Sequence, residues 1–118
     1  MLVTLVEDDP VVLSLLSELL RAHGHDVHPV LIAGEDTVAT GLARLAARPA
    51  PVVLLDLGMP VPGLELLRAA QSDRRFENVR YLVASASFRE TERDVVPGAR
   101  SIAKPYEVPE LLAAIAGA

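Results

Sequence analysis

The sequence predicts an α/β fold, a five-stranded, doubly wound parallel sheet with helices packed on both faces. Three observations carry the prediction. Short runs rich in Val, Leu and Ile alternate with longer stretches of helical period. Two of the short runs, "LVTLV" and "PVVLLD", are almost continuously apolar, as strands covered on both faces are. Gly and Pro fall between the two kinds of segment and punctuate them.

In order, Leu2 to Val6 forms the first strand. Asp9 caps and Pro10 opens a helix whose Val11, Val12, Leu15, Leu16, Leu19 and Leu20 recur at three- and four-residue steps, and Gly24 ends it. Asp26 to Ala33 is a strand that Pro29 assigns to an edge of the sheet. Gly34 to Asp36 opens a helix running to about Ala47, with Val38, Leu42 and Leu45 on its apolar side. Pro51 to Asp56 is the strongest buried-strand signal. The turn "LGMPVPG" leads to the helix "LELLRAAQ", and Val79 to Ser85 and Ala99 to Ala103 are the fourth and fifth strands. Between them "SFRETERDVVPG" leaves room for about two helical turns before Pro97, with Ser87 and Glu90 in capping-box spacing. An amphipathic helix around Leu111, Leu112 and Ile115 closes the chain.

A length of 118 residues suits one domain, spanning 1–118, with no room for a second catalytic or DNA-binding unit. Aromatics are 3% of the chain and the net charge is −5 with no basic stripe, which argues against a nucleic-acid partner. There is no cysteine, so thiolate metal sites are excluded. No apolar run reaches the length of a membrane span, and the start "MLVTLVEDDP" is unlike a signal peptide; the expectation is a soluble, cytoplasmic protein with no membrane association.

In a parallel sheet of right-handed crossovers all carboxyl ends of strands share one edge, where ligands bind. That edge gathers Glu7 and Asp8 after strand one, Asp56 at the end of strand three, Ser85 at the end of strand four and Lys104 after strand five. Lys104 is the only lysine among 11 basic residues. Carboxylates this close repel one another, and a hard cation such as Mg2+ together with a phosphoryl oxygen relieves that cost. Asp56 is a candidate nucleophile forming an aspartyl phosphate, with Lys104 neutralising phosphoryl charge and Ser85 donating a hydrogen bond.

The motifs "VEDDP", "LLDLGMP", "VASAS" and "AKPY", in this order and on these strands, resemble the receiver domain of bacterial two-component response regulators across essentially the whole chain. The resemblance implies a three-layer, flavodoxin-like α/β/α architecture with strand order 2-1-3-4-5. It implies that Glu7, Asp8, Asp56 and the Gly58 backbone carbonyl hold Mg2+, and that Asp56 accepts phosphoryl from a sensor histidine kinase or a histidine phosphotransfer protein. It further implies that Ser85 and Lys104 contact the phosphoryl group, that Pro105 follows a cis peptide, that Gly58 and Ser87 influence attack by water, and that a downstream protein reads the state. Such a module is a switch and not an enzyme with a separate substrate.

Several features depart from the family. Ser101 occupies the switch position, where the family usually has an aromatic ring, and Tyr106 stands at a different position and is not expected to replace it. The 104−85=19 residues from Ser85 to Lys104 are a few short, the loss falling in the helix before strand five. The "MPVPG" loop is tighter and the passage from strand two into helix two longer. These departures favour an altered output, or a receiver-like scaffold that works without phosphorylation. A phosphohydrolase of the haloacid dehalogenase type shares the Asp, Ser and Lys set but needs an acid two residues after the nucleophile, where Gly58 stands. His23, His25 and His28 lack the closed ligand set of a metal site, and Arg74, Arg75 and Arg80 are expected on a solvated loop surface.

Overall fold

The computed structural model describes residues 1–56, 63–85 and 98–117. Ten elements follow in chain order: β1 (Leu2–Glu7), α1 (Pro10–Ala22), β2 (Asp26–Leu31), α2 (Val38–Ala47), β3 (Val52–Asp56), α3 (Gly63–Gln71), a 3-10 turn (Arg74–Phe76), β4 (Arg80–Ser85), β5 (Ala99–Ala103) and α4 (Val108–Ala116). The strands form one parallel sheet in the order β2-β1-β3-β4-β5, as the resemblance implies. The segment expected to be helical before β5, with Ser87 and Glu90, lies outside the described residues.

The continuous apolar runs are explained by two separate cores. Along β1 and β3, Val3, Leu5, Val52 and Leu54 point to one face, where Leu13 and Leu20 of α1 and Leu111 and Ile115 of α4 cover them. Val6, Val53 and Leu55 point to the other face, beneath Leu45 of α2 and Leu66 and Leu67 of α3. A strand whose alternate residues both meet helices has no polar side to show, so the period-two signal of a half-exposed strand vanishes.

Local chemistry sets the element ends. Asp9 caps α1, its Oδ1 accepting from the Val11 N–H at 2.9 Å and the Val12 N–H at 3.4 Å, with Pro10 in the first turn. Gly24 leaves α1 at φ +86°, where a side chain would be strained. The start of α2 differs from the expected one. Thr37 is the cap, in a reciprocal box with Thr40, and Asp36 instead pairs with Arg44 at 2.6 Å and accepts from the Ala33 N–H. The strand before it stops at Leu31, although the Ile32 N–H still donates to the Glu7 carbonyl at 3.0 Å.

Pro29 does sit on an edge strand. Asp26 and Ile32 donate to the carbonyls of Met1 and Glu7, so the even-numbered residues bond inward and Val27, Pro29 and Leu31 face outward. That outer row is blocked. Pro29 has no N–H, the Val27 N–H donates to Asp26 Oδ1 at 3.0 Å, and Arg48, just past α2, and Arg44 of α2 donate to the Val27 and Leu31 carbonyls at 3.3 and 2.8 Å. An edge so covered offers little to an incoming strand.

One of the three arginines expected on a solvated loop surface is exposed but lies on a strand and is bonded to a helix end. Arg80 begins β4 and donates to the Ala114 carbonyl at 3.3 Å, which also accepts from the Gly117 N–H at 3.2 Å, and to the Ile115 carbonyl in the last turn of α4. Arg75 stays near the surface, paired with Asp73 and placed over the ring of Phe76, which is itself buried.

Candidate functional site

The register of the sheet delivers the site. Glu7 ends β1, Asp56 ends β3 opposite Ala84 of β4, and Ser85 ends β4 opposite Ala103, which immediately precedes Lys104. Glu7, Asp8 and Asp56 each present a carboxylate oxygen, and the three oxygens lie within 4.8 Å of one another. Lys104 Nζ donates to Asp56 Oδ2 at 2.5 Å across 48 residues of sequence. The peptide between Lys104 and Pro105 is cis. Gly58, Ser87 and the Ser85 side chain lie outside the described residues.

Electrostatics follow from crowding. Glu7 is 7% exposed, and burial is the largest influence on its carboxyl, followed by hydrogen bonding to Asp56 and Asp8. Together they push its pKa up to about 8, against the weaker opposing pull of the Asp9 N–H. Without a cation, the cluster therefore holds a proton at neutral pH, shared among acids that cannot all be charged at once. Burial works against the Lys104 charge, yet the bond to Asp56 and the attraction of Asp56 and Glu7 outweigh it and raise its pKa above the ordinary lysine value. An all-oxygen, carboxylate-rich donor set with surplus negative charge fits a hard divalent ion such as Mg2+.

Glu7 and Asp56 help to line a small cavity of about 40 Å3, together with Val12 and Leu16 of α1, Lys104 and Tyr106. Sequence reasoning put Tyr106 near this edge but gave it no role there. A ring two residues past the lysine carries no period or spacing that tells which way it turns. Ser101 pairs in register with Val83, and its buried hydroxyl finds no hydrogen-bond partner. The histidines do not assemble a metal site with other ligands: among the described residues, Glu7, Asp8 and Asp56 form the one candidate group.

No family model and no curated relative matches the chain. Solved structures do. A sensor protein from Polaromonas sp. JS666 is 28% identical, with a TM-score of 0.80 over 99% of this chain and 94% of that one. The receiver domain of the sensor histidine kinase PA1611 from Pseudomonas aeruginosa, with a magnesium ion coordinated in its active site cleft, is 20% identical with a TM-score of 0.79 over 97% and 93%. The BeF3-activated N-terminal receiver domain of Klebsiella pneumoniae RstA is 21% identical with a TM-score of 0.80 over 98% and 96%. No helix among the described residues is long and apolar enough to cross a membrane. With its strand order and near-complete superposition on these structures, the chain has the fold of the receiver domains of two-component response regulators.

Proposed function

We propose that the chain is a phosphoacceptor module of two-component signalling, phosphorylated on Asp56 and read by a protein partner. The observation that carries the reading is the Lys104–Asp56 pair set against the Glu7–Asp8–Asp56 carboxylates on the carboxyl edge of the sheet. The phosphoryl group comes from a phosphohistidine of a sensor histidine kinase or a histidine phosphotransfer protein, in the cytoplasm. No separate substrate is turned over.

Mg2+ fits the donor set and would be held by Glu7, Asp8 and Asp56 with the Gly58 carbonyl; when bound it supplies neutralising charge for phosphoryl oxygens. The magnesium in the PA1611 receiver supports the same choice of ion. An Asp56 carboxylate oxygen forms a bond to phosphorus as the phosphorus–nitrogen bond of the donor breaks, its electron pair remaining on the imidazole. Lys104 then exchanges the Asp56 oxygen for a phosphoryl oxygen, and Ser85 donates to another. Burial of Asp56, 9% exposed, limits access by water to the acyl phosphate that results.

The test is incubation with Mg2+ and acetyl phosphate followed by intact mass spectrometry, with Asp56→Asn as control. One added phosphoryl group that needs Mg2+ and disappears in the variant is the expected result. No addition by the folded protein, together with no binding of beryllofluoride, refutes the reading and leaves a phosphorylation-independent scaffold.

A further inference from the structure

We propose that Tyr106 is the residue through which this chain converts the state of Asp56 into a change of surface beside α1. The proposal rests on the phosphoacceptor reading above. It starts from a gap: Ser101, with no ring, leaves the usual position of an aromatic switch empty of any group that could swing.

Tyr106 is placed to take that part by a different route. Its ring is half-buried and, like Leu16 and Leu112, packs on the core shared by α1 and α4. It lines the cavity of about 40 Å3 that Glu7, Asp56 and Lys104 also line. It also lines an open groove of about 440 Å3 with Val12, Lys104 and Pro105. The residue is thus shared by the cavity of the acceptor and a groove at the surface. Its hydroxyl makes no hydrogen bond to the described residues, so no polar contact fixes it in place. A void beside a ring in an otherwise close-packed interior is room for that ring to advance, with new dispersion contacts as the gain.

Lys104 is the coupling. Its ammonium is held at Asp56 Oδ2, and its stem shares both the cavity and the groove with Tyr106. A phosphoryl group on Asp56 places the negative oxygens beyond the carboxylate, the ammonium follows outward, and the ring moves inward towards Leu54 and Ala84. The surface affected is apolar: Val11, Val12 and Leu15 of α1 are 63%, 36% and 61% exposed, and Val108 at the start of α4 is 37% exposed. Motion of Tyr106 reshapes the groove that it shares with Val12 of this patch, and a protein partner can read that change.

The chain has no tryptophan and two tyrosines, Tyr81 and Tyr106. Tyr81 is buried and its hydroxyl has no partner, so Tyr81→Phe removes nothing that the fold uses and leaves Tyr106 as the single fluorescent tyrosine. Beryllofluoride with Mg2+ is added to this variant, the bound adduct is followed by its 19F resonance, and Tyr106 is followed by acrylamide quenching and by NOEs from its ring to the Ala84 methyl. Adduct formation is expected to lower the quenching constant about twofold and to strengthen the NOE, because the ring trades solvent for cavity. Mg2+ alone, or Asp56→Asn with both additives, is expected to change neither. The methyl shifts that beryllofluoride induces at Val12 and Leu16 are expected to disappear in Tyr106→Ala and to return in Tyr106→Phe, a rescue that charge at the site alone does not explain. A clear 19F adduct with quenching and NOE unchanged overturns the role of Tyr106 and leaves the phosphoacceptor reading intact. Absence of any adduct overturns both.

Discussion

Mg2+ affinity is expected to rise steeply between pH 6 and pH 8, because the ion must displace the proton that the carboxylate cluster holds around Glu7. Burial, with Asp56 and Asp8 beside it, places that proton at a pKa of about 8. Binding that requires its loss is weakened by a factor of one plus the ratio of protonated to ionised cluster, about a hundredfold at pH 6, about tenfold at pH 7 and about twofold at pH 8. The apparent dissociation constant should therefore fall about fiftyfold from pH 6 to pH 8 and level off above that. Isothermal titration calorimetry in buffers of different ionisation enthalpy measures both quantities. Near one proton should be released per Mg2+ at pH 6.5. In Glu7→Gln, which cannot hold that proton and loses a ligand, affinity at pH 8 should drop and its pH dependence between 6 and 8 should flatten. A wild-type dissociation constant that moves less than about threefold over this range, with no proton release, would refute the account of the cluster.

The same proton sets a sign for stability without metal. The folded value of Glu7 lies above the ordinary value of 4.5, so its contribution is fully present below pH 4.5 and is lost as pH rises through about 8. Each pH unit in that window removes about 1.4 kcal/mol at most, and Mg2+ at saturating concentration should restore it. Thermal melts with and without Mg2+ should diverge progressively from pH 5 to pH 8.

Three further outcomes are expected. Lys104→Arg keeps the charge but replaces a point donor 2.5 Å from Asp56 with a planar fork, and should slow labelling by acetyl phosphate about tenfold or more as read by mass spectrometry; an unchanged rate would remove the need for a compact ammonium. Arg44→Ala loses the Asp36 pair and the bond to the Leu31 carbonyl, and urea melts should show a small fall in the unfolding midpoint, smaller still at high salt; an unchanged midpoint at low salt would remove the edge-closing role. Gly41→Ala would set a Cβ 2.9 Å from Leu66 Cδ1, and because Leu66 is completely buried between α2 and the sheet it cannot yield; a loss of about 1 kcal/mol is expected despite the helix propensity of Ala, with recovery in the Gly41→Ala, Leu66→Val double variant.

How much of this was legible in the sequence depends on how far apart the cooperating residues stand. β3 was legible because its two neighbours and both covering layers leave it no polar position. The start of α1 was legible because Asp9 and Pro10 act on their own next turn. The start of α2 was not: Asp36 and Thr37 are both competent caps, and the choice falls to Thr37 because Thr40 reciprocates and Arg44 draws Asp36 away. The exposure of Arg80 was legible but its bonds were not, because its partners stand 34 and 35 residues later, at the end of a helix whose position only the folded sheet determines. The site escaped this limit. Asp56 and Lys104 are 48 residues apart, yet a parallel sheet has one carboxyl edge, and that rule alone brings Glu7, Asp56 and Lys104 together. The direction of a single ring, that of Tyr106, obeys no such rule.

The use of basic residues separates what holds the fold from what operates it. Four arginines have structural partners: Arg44 and Arg48 close the outer edge of β2, Arg75 binds the cap of a turn, and Arg80 binds two carbonyls at the end of α4. Each task asks for several donors held in a fixed plane, which guanidinium provides, and each would be spoiled by a group that rotates away. The lone lysine stands where the partner is expected to change. The ammonium meets a carboxylate oxygen of Asp56, on the phosphoacceptor reading it meets a phosphoryl oxygen after transfer, and a single charge on a flexible stem can serve both without a rearranged hydrogen-bond fork. A chain that otherwise relies on arginine thus keeps its one lysine at the position where the phosphoacceptor reading asks for an adaptable cation, with Tyr106 lining the same groove.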